Sequence, residues 1–208
     1  MRRHLLQRLG ILLSGRGSNF MAIAEAIREG RLPGAEIAVV LSNLPDAAGL
    51  KIARELGLTA IAIPSAGHKR AEYDAEVIAT LRQHLADLVC LAGYMRILSP
   101  EFVRTFPNRI LNVHPALLPA FPGLDAQAQA LEYGARVAGC PVHFVDEAVD
   151  HGAIIMQRVV PVLDEDTAES LSARILEQEH IAYTEAIARV LSGDYHLSGR
   201  RYIHRDKQ

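Results

Sequence analysis

Short apolar runs alternate with longer amphipathic segments through the first two-thirds of this sequence, and that alternation limits the fold more than any other feature. The apolar runs fall at 9–13, 37–42, 59–63, 88–92 and 110–113. Helical spacing fills the intervals at 19–29, 47–56, 71–84 and 100–106. β-rich runs of four to six residues separated by helices predict βαβ units. Such units build a parallel, twisted sheet with helices on both faces, joined by right-handed crossovers. The expected class is therefore α/β, Rossmann-like and mostly parallel.

After position 113 the pattern changes. A proline-rich loop at 114–123 leads to a helix at 126–133, then to strand-like runs at 142–145 and 153–162. A long helix at 168–191 follows, and the tail from 202 to 208 reads as frayed or strand-forming. No repeat, low-complexity tract or flexible linker interrupts the 208 residues. One domain over 1–208 is the expectation, long enough to bury a core without staples.

Charge excludes some functions. The net charge is -2, from 22 basic and 24 acidic residues, with no long basic stretch, so a nucleic-acid partner is not expected. A small anionic substrate remains compatible, because one local pocket binds phosphate without changing the total. Cys90 and Cys140 lie in apolar runs without CxxC spacing and read as buried free thiols of a reducing compartment. Gln7 and Arg8 break the opening apolar run, leaving no signal-peptide core. No run approaches ~18 apolar residues, so no membrane span is expected and the location is read as cytoplasmic.

The first strand ends in Ser14-Gly15-Arg16-Gly17-Ser18-Asn19, and a helix begins at once. A helix N-terminus presents unpaired N–H donors and the positive end of a dipole, which suits an anion. Phe20 stands where a dinucleotide fingerprint needs its third glycine, and no lysine precedes the serine as a P-loop would require. Two readings stay open here: a phosphate cradle, or a tight turn in which Ser18 or Asn19 is a plain N-cap.

Asn112 and His114 stand two apart at the end of an apolar strand, so both side chains project to one face. That is the edge at which open α/β sheets place their ligands. An amide beside an imidazole can polarise a carbonyl and hold a developing oxyanion. The turn Asp146-Glu147-Ala148-Val149-Asp150-His151-Gly152 supplies carboxylates that can orient His114, favour its charged form or relay a proton. Which acid reaches the ring is left open by spacing alone. Nine histidines include no HExxH pair, so no metal is expected. His84, His143 and His180 lie inside elements and read as packed, hydrogen-bonded residues.

Five segments in order resemble the folate-dependent phosphoribosylglycinamide formyltransferases: SGRGSN at 14–19, AGYMRILSPEFV at 92–103, ILNVHPALLPAFPGL at 110–124, PVHFVDEAVDHGAII at 141–155 and EQEH at 177–180. The resemblance implies transfer of a formyl group from 10-formyltetrahydrofolate to the amine of glycinamide ribonucleotide, in a monomer or homodimer, without nucleic acid, membrane or metal. It implies that Asn112 holds the formyl oxygen, that His114 stabilises its charge, and that Asp150 positions His114 and helps remove the proton. Gly17, Ser18 and Asn19 are expected to bind the substrate phosphate and Glu179 the ribose. Met95, Arg96, Ile97 and Leu98, with Val145, Asp146 and Asp150, are expected to line the folate pocket, with Arg70 on its folate or phosphate side.

Two segments depart from the family pattern. The run Asp125-Ala126-Gln127-Ala128-Gln129 lacks the usual histidines, and Pro141 replaces a small or hydroxyl residue before VHF. Proline is expected to disturb the strand leading to the Asp150 turn, because it removes a ladder donor. Formyltetrahydrofolate deformylases and methionyl-tRNA formyltransferases share the Asn…His…Asp set but carry extra domains. This chain starts almost at strand one and ends soon after the long helix, which favours the glycinamide ribonucleotide reading. A metabolite-binding module without chemistry is the contrasting class, and it has no use for the three polar residues.

Overall fold

A computed structural model of the protein describes residues 6–205. The arginines at 2 and 3, which bear on the leader reading, and positions 206–208 of the tail lie outside the described residues. The chain divides into two compact units, one ending at Leu111 and the other beginning at Asn112.

The first unit holds β1 (Gln7–Leu13), α1 (Ser18–Arg28), β2 (Ala35–Ser42), α2 (Ala48–Glu55), β3 (Ala60–Ala62), α3 (Arg70–Gln83), β4 (Leu88–Leu91) and α4 (Pro100–Thr105). Its strands pair in the order β3-β2-β1-β4, every pairing parallel. Leu9, Ile11, Leu12, Val39, Val40, Leu88, Val89 and Cys90 are wholly buried, as continuous apolar runs in a parallel sheet require. Because the strands run the same way, the loops after β1, β2 and β4 all leave from one edge. The helices between them follow the amphipathic spacing to within about one residue at each end.

The strand β5 (Ile110–Val113) carries the chain out of the first unit at Leu111 and into the second at Asn112. There follow α5 (Ala126–Tyr133), β6 (Val137–Phe144), β7 (Ile154–Pro161), α6 (Ala168–Ser192), β8 (Tyr195–Ser198) and β9 (Arg201–His204). β6 and β7 are antiparallel, β9 joins β7 in parallel, and β8 and β9 form an antiparallel pair. α6 packs on β6 and β7 with Leu171, Ile175, Ala182, Tyr183 and Ile187 buried. Thr167 and Ser170 close a reciprocal capping box at its start, and Gly193, at φ 70, ends it. Taken with the first unit, the pairings make the mostly parallel, helix-flanked α/β architecture expected from the pattern.

One element differs from the sequence reading, and the tail takes one of the two forms expected of it. β6 begins at Val137, ahead of the run expected at 142, since Gly139 and Pro141 look like turn residues yet lie within it. Pro141 turns its carbonyl to the His114 N–H at 3.3 Å. Its missing donor therefore faces β5, and the β6–β7 pairing passes Pro141↔Gln157 intact. The register shifts only between Val142 and His143. Residues 202–204 of the tail lie in β9, the strand-forming alternative, and Tyr202 packs on Phe144 with ring centroids 5.2 Å apart. Among the described residues no helix is long and apolar enough to cross a membrane.

Candidate active site

In the first unit, the loop after β1 is shaped by glycine. Gly17 sits at φ 78 as the N-cap of α1, with no side-chain cap. A Cβ there would lie 2.9 Å from the Cα of Gly49, so the two glycines let the loop before α1 touch the first turn of α2. Ser18 and Asn19 fall inside the helix rather than at its cap, so the plain Ser or Asn cap is not the one that forms. A cavity of about 460 Å³ opens beside the loop, lined by Ser14, Gly15, Arg16 and residues 44–48.

The segment after β4 presents Met95 and Ile97 to solvent, 69% and 61% exposed, an unusual display for apolar side chains. Leu98 is buried. The Arg96 guanidinium lies 4.5 Å over the Tyr73 ring, which steadies it by a cation–π contact. Tyr94 donates its hydroxyl to Tyr73 at 3.1 Å, and burial pushes both phenols up from their ordinary range. Arg70 opens α3 and is exposed.

In the second unit, Asn112 and His114 end β5 on the expected common face, and two further groups meet them. His114 Nε2 donates to the Phe121 carbonyl at 2.8 Å, while its Nδ1 lies 3.3 Å from Asp150 Oδ2. The Phe121 carbonyl can only accept, so Nε2 carries the proton in that contact and the ring presents its Nδ1 edge to Asp150. Asp150 sits at φ 51 and is held by the Gly123 N–H, which donates to Oδ2 at 2.9 Å. Spacing left the choice among Asp146, Glu147 and Asp150 open, and Asp150 is the acid that faces His114. Asp146 instead pairs with His151 Nδ1 at 2.8 Å and accepts from the Ala148 N–H at 3.0 Å, folding the turn on itself. Val145 leads into that turn and is half-buried.

His143 belongs to the same cluster. Its Nδ1 donates to the Phe144 carbonyl at 2.8 Å, which leaves Nε2 to accept from Asn112 Nδ2 at 3.3 Å. Asp150 Oδ1 lies 3.8 Å from that nitrogen. Burial pushes the His143 pKa down, against the Phe144 carbonyl and Asp150, which raise it. A neutral His143 fixes which way the Asn112 amide points, with its nitrogen toward the ring. The sequence reading as a packed, hydrogen-bonded histidine is accurate but missed these partners. Only the β5–β6 register, with residue 141 beside 114, carries that signal.

Glu179 is buried on α6, and its charge, after burial itself, helps push the Cys140 thiol up to about 12. Asp125, where the usual histidines are missing, takes φ 56 at the N-cap of α5, and Gln129 donates to the Leu124 carbonyl at 2.7 Å. No group of three or more His, Cys, Asp or Glu among the described residues is placed to hold a metal.

A polar pair on a sheet edge with a carboxylate behind it suits acyl-group chemistry, and comparison with known proteins decides the family. The formyl transferase family model matches residues 7–187. This chain belongs to the formyl transferase family. It is 44% identical over 179 residues to the phosphoribosylglycinamide formyltransferase of Escherichia coli (strain K12), covering 86% of this chain and 84% of that one. The crystal structure of glycinamide ribonucleotide transformylase 1 from Symbiobacterium toebii superposes with a TM-score of 0.94 at 50% identity, over 99% of this chain and 96% of that one. The trifunctional purine biosynthetic protein adenosine-3 of Drosophila melanogaster is 45% identical over 192 residues, 90% of this chain. The chain spans only 14% of the length of that relative. The family match runs from β1 into α6 and so takes in residues of both units.

Proposed function

We propose that the protein transfers the formyl group of 10-formyltetrahydrofolate to the amine of glycinamide ribonucleotide, giving formylglycinamide ribonucleotide and tetrahydrofolate for purine synthesis. The observation that carries this reading is the His114–Asp150 contact beside Asn112 in a chain of this family. The names of the bacterial relatives supply the substrate. The family match through both units supports reading 1–208 as one catalytic domain.

In this reading the amine attacks the formyl carbon, and a tetrahedral oxyanion forms with a surplus proton on the new nitrogen. The formyl oxygen takes the place of the Phe121 carbonyl at His114 and receives a second hydrogen bond from the Asn112 amide. The imidazole N–H and the amide thus stabilise the oxyanion where it develops. Asp150 orients the ring and accepts the proton from the attacking nitrogen, directly or through one water. Collapse breaks the bond from the formyl carbon to the folate nitrogen, which leaves with the proton that Asp150 took up. Gly17, Ser18 and Asn19 take the substrate phosphate, with Glu179 at the ribose. Met95, Arg96, Ile97, Leu98, Val145 and Asp146 contact the folate, and Arg70 an anionic end of either ligand.

The test is an absorbance assay for the deformylated folate with and without glycinamide ribonucleotide. Release that requires the amine is expected. Release without it identifies a hydrolase, and no release under either condition removes the catalytic reading.

A further inference from the structure

Ser14 opens the SGRGSN loop, yet the chemistry above leaves it without a task. It is 6% exposed, and its hydroxyl works in both directions. It donates to Asn43 Oδ1 at 2.6 Å and accepts from the Met95 N–H at 2.8 Å. Its own N–H donates to the Gly93 carbonyl at 3.0 Å. Asn43, 8% exposed, follows β2, and its carbonyl accepts from the Ser65 N–H at 3.3 Å. One hydroxyl therefore joins the segments that leave β1, β2 and β4.

A side chain bound this way transmits position. Without the hydroxyl, Asn43 Oδ1 and the Met95 N–H both lose their partner, and each must shift or be solvated. Met95 heads the segment whose exposed side chains are given to folate, while Ser14 is three residues from the αL glycine that shapes the phosphate loop. Main-chain binding is especially sensitive to such support, because a displaced N–H cannot be corrected by a rotamer change.

We propose that Ser14, oriented by Asn43, is a positioning residue that holds the 15–19 loop and the 95–98 segment in one arrangement, so that affinity for both ligands depends on one buried hydroxyl. The inference rests on the formyl-transfer reading above, but not on the chemistry at His114.

The experiment is steady-state kinetics on Ser14→Ala, Asn43→Ala and the double variant, with Tm recorded for each. Ser14→Ala is expected to raise KM for glycinamide ribonucleotide and for 10-formyltetrahydrofolate together, each by about fivefold or more, with kcat within about twofold. Asn43→Ala is expected to do the same more weakly. The double variant should match Ser14→Ala alone, since both act through one group. A rise confined to one substrate overturns the proposal, as does a fall in Tm with both KM values unchanged. If Ser14→Ala does not fold, Asn43→Ala decides by the same two criteria. Wild-type protein with no transfer refutes the functional reading instead, which keeps the two failures apart.

Discussion

At the end of β1 the surface offered to a ligand is main chain: a glycine at φ 78, an uncapped helix start and a second glycine so close behind it that no Cβ fits between them. At the end of β5 it is side chain: an amide, two imidazoles and a carboxylate linked by contacts of 3.3–3.8 Å. The first arrangement suits an anion that must only be held, since N–H groups and a helix dipole bind charge without changing protonation. The second suits a reaction in which charge and a proton move, which needs groups that titrate and donors aimed at one atom. If the proposed function holds, binding and chemistry fall to different parts of the polypeptide, and substitutions should separate them.

The sharpest separation is expected at the side-chain cluster. Removing one oxyanion donor typically costs ~10²–10³ in rate. His114→Ala or Asn112→Ala should lose at least about that factor in formyl transfer while keeping its far-UV spectrum and Tm near wild type. Near-normal turnover in either purified variant would sink the assignment.

A smaller effect on the same side tests His143 as the group that orients Asn112. His143→Leu should lower kcat roughly tenfold, the cost of one unsatisfied polar group, with little change in either KM. An effect on KM alone would place His143 with the binding machinery and blur the contrast.

On the main-chain side, Gly17→Ala should act through conformation. An L-residue held at φ 78 costs roughly 1–2 kcal/mol. The new Cβ must also push Gly49 away. A lower Tm and a higher KM for glycinamide ribonucleotide are expected, with kcat nearly preserved. A collapse of kcat instead would show that the loop takes part in the chemistry.

The smallest effect is a pH dependence of stability. Burial holds His143 and His180 below the ordinary imidazole range in the folded chain, whereas the unfolded rings take up protons near pH 6.5. Stability from these two groups is complete above that value and is lost as pH falls below it. Thermal melts from pH 7.5 to 5 should show this decline, shallower in His180→Gln. Equal slopes in both proteins would contradict it.

The parallel half of the fold was open to reading because its signals are local. A strand buried on both faces must be apolar throughout, and a covering helix must repeat its apolar residues every three or four positions. Neither requirement depends on distant residues. β6 was read short because Gly139 and Pro141 carry turn propensity, which tertiary pairing overrode. The tail stayed open between frayed and strand-forming for a similar reason, since β9 gains its place from Phe144 and from β7.

By itself the sequence determined the α/β pattern, the glycine loop, the common face of Asn112 and His114, and the family, because each is written in residues close together along the chain. Tertiary structure alone decided that Asp150, not Asp146 or Glu147, faces His114, that His143 orients Asn112, and that Ser14 ties three loops. Those choices depend on strand register and turn geometry, and a shift of one residue in either would bring a different side chain to the same place.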